Sequence, residues 1–244
     1  MKKGNKKKDE TTVEALQEKA SALRRFSILL CVTAALLCTA IIVVHQSGGI
    51  GASPVYDSCT DEEIAQVLAA LDDVAPSRQM IAKSALSLVG EVDYFWGGKS
   101  EATGFDNGWG TPRLVESEGS STTGTLQPYG LDCSGYIAWC FLQTGLSVKD
   151  IKRELGYGTN KQYFAATEIE WDALQVGDLV FQYTPLAGTG NHVGICVGFL
   201  SDGSPLFAHC SFAFGGVVVT GRGNVFRYPR RPDIYKLLDD GGNA

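Results

Sequence analysis

Residues Phe26 to Val44 read FSILLCVTAALLCTAIIVV, 19 positions without a charge. As a helix rising about 1.5 Å per residue the run spans roughly 28 Å, close to the thickness of a bilayer's hydrocarbon core. A buried soluble helix of that length would normally show a polar stripe; the reading is therefore a transmembrane helix over 26–45. Charge is distributed unevenly around it. Through Arg25 there are eight bases against four acids, and the rest of the chain carries 13 against 23. The basic flank (Lys2, Lys3, Lys6, Lys7, Lys8, Arg24, Arg25) places residues 1–25 in the cytoplasm as a basic tail, with everything after His45 outside the cell. A cleaved secretory signal is the alternative, since Gly48, Gly49, Gly51 and Ala52 follow the run. The acidic remainder has no basic footprint for phosphates, which argues against nucleic acid.

Beyond the apolar run, residues 46–57 are rich in Gly, Ser and Pro and read as a flexible link. Thr60 and Glu63 have capping-box spacing ahead of a short helix over 61–74, and the linker with this helix extends to residue 76. A second helix runs through Met80, Ile81, Ala85 and Leu88 to Gly90. Residues 99–131 show little periodicity and read as one long loop, a length that is often functional. Asp132 caps a helix to about Gln143, and a shorter one covers Ser147 to Leu155. Strands follow at 178–183, 192–199, 205–209 and 216–220, with a short one near 225–228. Helices followed by consecutive strands imply an α+β domain with an antiparallel sheet, over 77–238, and a tail at 239–244.

The chemistry concentrates in few residues. The chain has three histidines, of which His192 and His209 fall on neighbouring strands, while Cys133 opens a helix. The helix dipole and a nearby imidazole would each favour a Cys133 thiolate, and its own backbone amide could donate to an oxyanion. If His192 faces the Cys133 helix, strand alternation puts Gly194, Cys196 and Gly198 on that face, where small residues would let the helix approach. If His209 faces the same way, Cys210 points oppositely, so Cys196 and Cys210 should not form a disulfide. A zinc site from Cys133, His192, His209 and Cys210 lacks ligand-pair spacing, and no metal or organic cofactor is expected.

These residues sit in an ordered set of motifs: YFWGG at 94–98, DCSG at 132–135, GDL at 177–179, HVGI at 192–195, and FAHC with His209 third. In that order they resemble the NlpC-type family of papain-like bacterial cell-wall cysteine peptidases. The resemblance implies a papain-like α+β fold with N-terminal helices packed on an antiparallel sheet. It implies Cys133 as nucleophile, His192 as general base and His209 as the polar third member. Tyr94 resembles the family tyrosine beside the nucleophile, which helps position the carbonyl or oxyanion. Asp132 and Ser134 match positions that contact the peptide in relatives, although Asp132 also reads as a simple helix cap. Gly97 and Gly98 read as sites of close backbone packing, and Asp178 as fixing the turn before a strand.

The implied function is a membrane-anchored hydrolase of peptidoglycan stem peptides, cutting between D-glutamate, through its side-chain carboxyl, and the following diamino acid. The alternatives are a wall amidase or acyl transferase on the same fold, and a catalytically silent wall-binding scaffold. The chain departs from the family pattern in the 33 residues between Gly98 and Asp132. Both anchors of this insertion are at the implied site, so the expectation is a wall or lid of the substrate groove.

Overall fold

The computed structural model describes residues 55–185 and 190–240. The span read as a membrane helix, 26–45, lies outside the described residues, and no helix among them is long and apolar enough to cross a membrane.

Thr60 caps α1, Asp61–Ala70, with the reciprocal Glu63 contact that its spacing requires. The chain turns through Leu71–Asp73 and enters α2, Pro76–Leu86, with proline in its first turn, where a missing N–H costs nothing. The insertion is more ordered than its composition suggests. Two strands, β1 (Pro112–Leu114) and β2 (Leu126–Pro128), pair antiparallel within it, and the Arg113 guanidinium lies 3.7 Å from the centroid of the Tyr129 ring.

The next helix, α3 (Cys133–Leu142, CSGYIAWCFL), is buried at every position. A helix apolar on all sides belongs at the centre of a fold, and this one joins α2 and the sheet in the main core. Asp132 caps it by accepting from the Gly135 N–H at 2.7 Å. Helical turns at Val148–Asp150 and Ile151–Leu155 lead to α4, Thr159–Phe164, and to β3, Ala166–Glu168. Neither α4 nor β3 is legible in the sequence, because both are too short for periodicity to register.

The remaining strands are β4 (Leu179–Phe181), β5 (Val193–Phe199), β6 (Pro205–Ser211), β7 (Gly216–Thr220) and β8 (Tyr228–Pro232), followed by α5, Tyr235–Asp240. They form a six-stranded antiparallel sheet in the order β3-β8-β4-β5-β6-β7. The last strand starts later than the expected 225–228. Val225 and Phe226 are instead packed under the sheet.

The sheet is covered on both faces, so β5 reads as an unbroken apolar run. Val193, Ile195 and Val197 meet the helices, whereas Cys196 joins Phe207 and Phe226 in a smaller cluster on the other face. The expectation that Gly194 and Cys196 face the α3 helix is therefore corrected. Gly194 makes room for Phe226, whose ring a Cβ would meet at 2.8 Å. The sequence showed the alternation but not which face the helices cover. Cys196 and Cys210 do lie on opposite faces, and both are free.

Candidate active site

Close backbone packing brings the two halves of the site together. A Cβ on Gly135 would lie 2.1 Å from the Gly98 carbonyl oxygen, and one on Gly98 would lie 2.3 Å from that of Gly130. Only glycine permits this approach, which sets the 94–98 segment against the start of α3. Tyr94 is held by its N–H to the Gly215 carbonyl (2.8 Å) and by bridging to Leu131. Its half-buried ring meets Phe212 edge-on, and its hydroxyl interacts electrostatically with Cys133 and Asp132. Burial raises the Tyr94 pKa, so the hydroxyl stays a neutral donor.

Cys133 is 8% exposed and packs in the main core with Val193, the residue after His192. Burial, with the nearby Asp132 carboxylate, pushes its thiol up to about 12, while the backbone amides of Val193 and Ser134 and the Lys99 ammonium oppose that shift. His192 is lowered to about 4 by burial. Burial of both groups therefore favours a neutral thiol and a neutral imidazole in the free site, in opposition to the helix dipole, which favours the thiolate.

Two polar contacts position His192. The Asn191 carboxamide accepts from the N–H groups of His192 (2.9 Å) and Tyr183 (3.0 Å) and donates to the Tyr183 carbonyl at 2.7 Å, which fixes the start of β5. The His192 ring then contacts His209, Nε2 to Nδ1, at 3.0 Å. The tautomers follow from the far end of this chain. The Thr220 hydroxyl donates to the Gly221 carbonyl at 3.0 Å, so at its 3.1 Å contact with His209 Nε2 it must accept. His209 therefore carries its proton on Nε2 and accepts at Nδ1, which obliges His192 to donate from Nε2. His192 Nδ1 is left as the basic lone pair, and the arrangement can accept one proton there.

The expected substrate-contacting residues form one network. Asp132 accepts from the Ser134 hydroxyl (2.8 Å) as well as from Gly135, and Lys99 contacts Asp132 and lies 3.0 Å from the Ser134 hydroxyl. Asp132 is thus both helix cap and groove residue. The groove encloses about 360 Å³. It is lined by Trp96 and Lys99, by Asp132, Cys133 and Ser134, and by residues 157–160 with Gly190 and Asn191.

Of the insertion 99–131, Lys99 lines this groove. Farther along, the insertion supports another lining residue: the Trp96 indole N–H donates to the Glu118 carbonyl at 2.9 Å. Asp178 is fully buried in the turn before β4 and pairs with Arg78 and Arg231, away from the groove. Sequence reasoning missed Lys99, Thr220 and Tyr56. Lys99 directly follows the Gly-Gly pair and was open to notice as a cation inside a motif. The other two carry no local signal.

The chain was compared with known proteins by sequence, by family and by structure. No curated protein matches the chain. Among solved structures, the chain resembles the peptidoglycan hydrolase RipB of Mycobacterium tuberculosis at 21% identity and TM-score 0.43, covering 71% of this chain and 85% of that one. It resembles the P60 domain of an antigen from M. avium subspecies paratuberculosis at 24% identity and TM-score 0.43, covering 65% and 95%. For the NlpC/p60 domain of the peptidoglycan hydrolase SagA the values are 24% identity, TM-score 0.40, and coverage of 63% and 97%. The model of the NlpC/P60 family matches residues 91–219, more than half of the sequence and the whole span from Tyr94 to His209. The chain is a member of the NlpC/P60 family, whose members are cysteine peptidases and peptidoglycan hydrolases.

Proposed function

We propose that this protein is a membrane-anchored endopeptidase of peptidoglycan stem peptides, cleaving between D-glutamate and the following diamino acid with Cys133, His192 and His209. The observation that carries the reading is the hydrogen-bonded relay from Thr220 through His209 to His192, which leaves a single basic nitrogen on His192, the residue before Val193, whose backbone amide interacts with the Cys133 thiol. Anchoring rests on the uncharged 26–45 run and its basic flank.

In this mechanism His192 Nδ1 takes the thiol proton as Cys133 Sγ attacks the D-glutamyl γ-carbonyl. Because both groups rest neutral, proton transfer accompanies attack rather than preceding it. In the same mechanism the Cys133 N–H and the neutral Tyr94 hydroxyl donate to the oxyanion. Imidazolium then protonates the departing amine, and the acyl-thioester forms. Water, deprotonated by His192, attacks the thioester carbon; the free D-glutamyl carboxylate leaves and the thiol is restored.

Lys99 supports a substrate of this kind. A D-glutamate linked through its side chain keeps a free α-carboxylate near the scissile carbonyl, and Lys99 is the ammonium group lining the groove beside Cys133. The test is product mass after digestion of purified stem peptides. The expected products are a fragment ending in D-glutamate and one beginning with the diamino acid; release at the sugar–peptide bond would instead favour an amidase. Lys99→Met should lower kcat/KM about 10-fold on stems with a free α-carboxylate, the loss of one charge-assisted hydrogen bond. The effect should be much smaller on α-amidated stems.

Thr220→Val tests the relay. It leaves the His209 Nε2–H without an acceptor and frees the ring to change tautomer, at a cost of about 1–3 kcal/mol. The expected result is a fall of about 10- to 100-fold in kcat with KM little changed; unchanged kcat would show that the relay does not hold His192.

A further inference from the structure

Tyr56 lies at the end of the stretch read as a flexible link, 35 positions before the family-matched region begins. Its two neighbours, Val55 and Asp57, are nevertheless pinned to the turn after β7. The Val55 N–H donates to the Asn224 side chain at 2.8 Å, and the Asn224 N–H returns to the Val55 carbonyl at 2.9 Å. The Gly221 N–H reaches the Asp57 carbonyl at 3.0 Å, and the Gly223 N–H reaches the Asp57 carboxylate at 2.8 Å. Glycine is needed at 223, where φ is +52° and a Cβ would fall 1.9 Å from the Val55 carbonyl oxygen. Residues 55–57 are therefore a docked strap.

The strap delivers one aromatic ring to the histidine pair. Tyr56 stacks on His209 with centroids 4.9 Å apart and 17° between planes, and meets His192 edge-on at 6.5 Å. Phe226 stacks on His192 at 5.9 Å, meets the edge of His209 at 5.4 Å, and contacts Tyr56 itself edge-on at 5.9 Å. The Tyr56 hydroxyl lies against Ser211 and interacts with Cys133 and Tyr183. His209 is fully buried although Tyr56 itself is partly exposed, so the Tyr56 ring stands between His209 and water.

We propose that Tyr56 is a positioning residue of the active site, and that the 55–57 strap belongs to the catalytic unit because it keeps His209 dry, neutral and fixed as the acceptor for His192. The proposal rests on the reading that the two histidines work together, but its structural half can be tested without turnover. Burial holds His209 well below the ordinary imidazole value, and the neighbouring His192 adds to that shift. The titratable groups facing the His209 ring are His192, from the start of β5, and Tyr56, from the strap. The other side chains packed on it, Thr220, Phe214 and Phe226, are uncharged. Opening its face to water lets His209 bind a proton at Nδ1, the atom that must accept from His192. A protonated His209 donates there instead, and His192 loses its tautomer.

The experiment uses the full-length protein and the variants Tyr56→Phe, Tyr56→Leu and Asp57→Ala. Nitrogen-15 NMR of the imidazoles reports protonation and tautomer whether or not any substrate is cleaved, and kcat/KM against pH reports catalysis. In Tyr56→Leu the His209 titration and the acid limb of activity should both move to higher pH, with kcat reduced about 10-fold or more at pH 6 and KM little changed. Tyr56→Phe, which keeps the ring, should retain the wild-type titration. Asp57→Ala, which loosens the strap without touching the ring, should fall between them and keeps the test open if Tyr56→Leu does not fold. Wild-type histidine titration in folded Tyr56→Leu and Asp57→Ala would overturn the proposal. So would a change in KM alone, which would make Tyr56 a substrate wall. A shifted titration in a protein that cleaves no stem peptide would uphold the positioning role while refuting the proposed function.

Discussion

Cys133→Ala is expected to reduce stem-peptide cleavage by about 10⁶-fold, or to the detection limit, while leaving the fold unchanged. The thiol supplies the only bond to the acyl group in the proposed mechanism, so no neighbouring group replaces it. The cost to structure is small, because the helix start is held by Asp132 accepting from Gly135 and by the close approach of Gly98 and Gly135. Product masses from digested stems, with the melting temperature of both proteins, check the result. Cleavage within 100-fold of wild type in this variant would remove Cys133 from the mechanism. The resting neutral pair adds a pH signature. With the thiol pushed up to about 12 and the imidazole down to about 4, alkylation of Cys133 in the free protein should keep rising with pH above 8. A preformed ion pair would instead plateau in the acidic range.

Asp178→Ala is expected to lose about 3–5 kcal/mol of stability, a large part of the 5–15 kcal/mol that holds a typical domain together. The carboxylate is fully buried and has four contacts: Arg78 at 3.0 Å, the Arg231 guanidinium at 2.8 and 3.2 Å, and the Gln175 N–H at 2.9 Å. It thereby ties α2, β8 and the turn before β4 to one point. Removing it strands two guanidinium groups, and Arg78 is only 14% exposed, packed over the Tyr235 ring. A drop in urea midpoint at constant slope would measure the loss. A change below 1 kcal/mol would mean the network behaves as an exposed ion pair. Activity per folded molecule should be retained, since Asp178 does not line the groove.

The site was legible where its chemistry is local. A cysteine after a capping aspartate, on a helix of apolar residues, fixes its own geometry within one turn, and Asp132, Cys133 and Ser134 lie where that reading put them. His192 and His209 were readable as partners because adjacent strands with side chains on one face bring them together. The face itself was not readable. Alternation in β5 is the same whichever layer the helices cover, and with both faces buried the strand gives no polar marker. The protonation state was also not legible, because a helix dipole is visible in the sequence whereas the burial that opposes it is not.

The sequence by itself determined the family, the candidate nucleophile Cys133, the histidine pair and the existence of a long insertion, since each is a residue type in a fixed local order. Only the tertiary structure decided what surrounds them. It showed that the insertion reaches the groove through Lys99 and supports Trp96 through Glu118, gave Thr220 the role of setting the tautomers, and brought the strap that carries Tyr56 against residues 169 positions later. Such contacts depend on how distant segments pack, and a Gly/Ser/Pro-rich stretch looks the same in sequence whether it is free or hydrogen-bonded to a turn far along the chain.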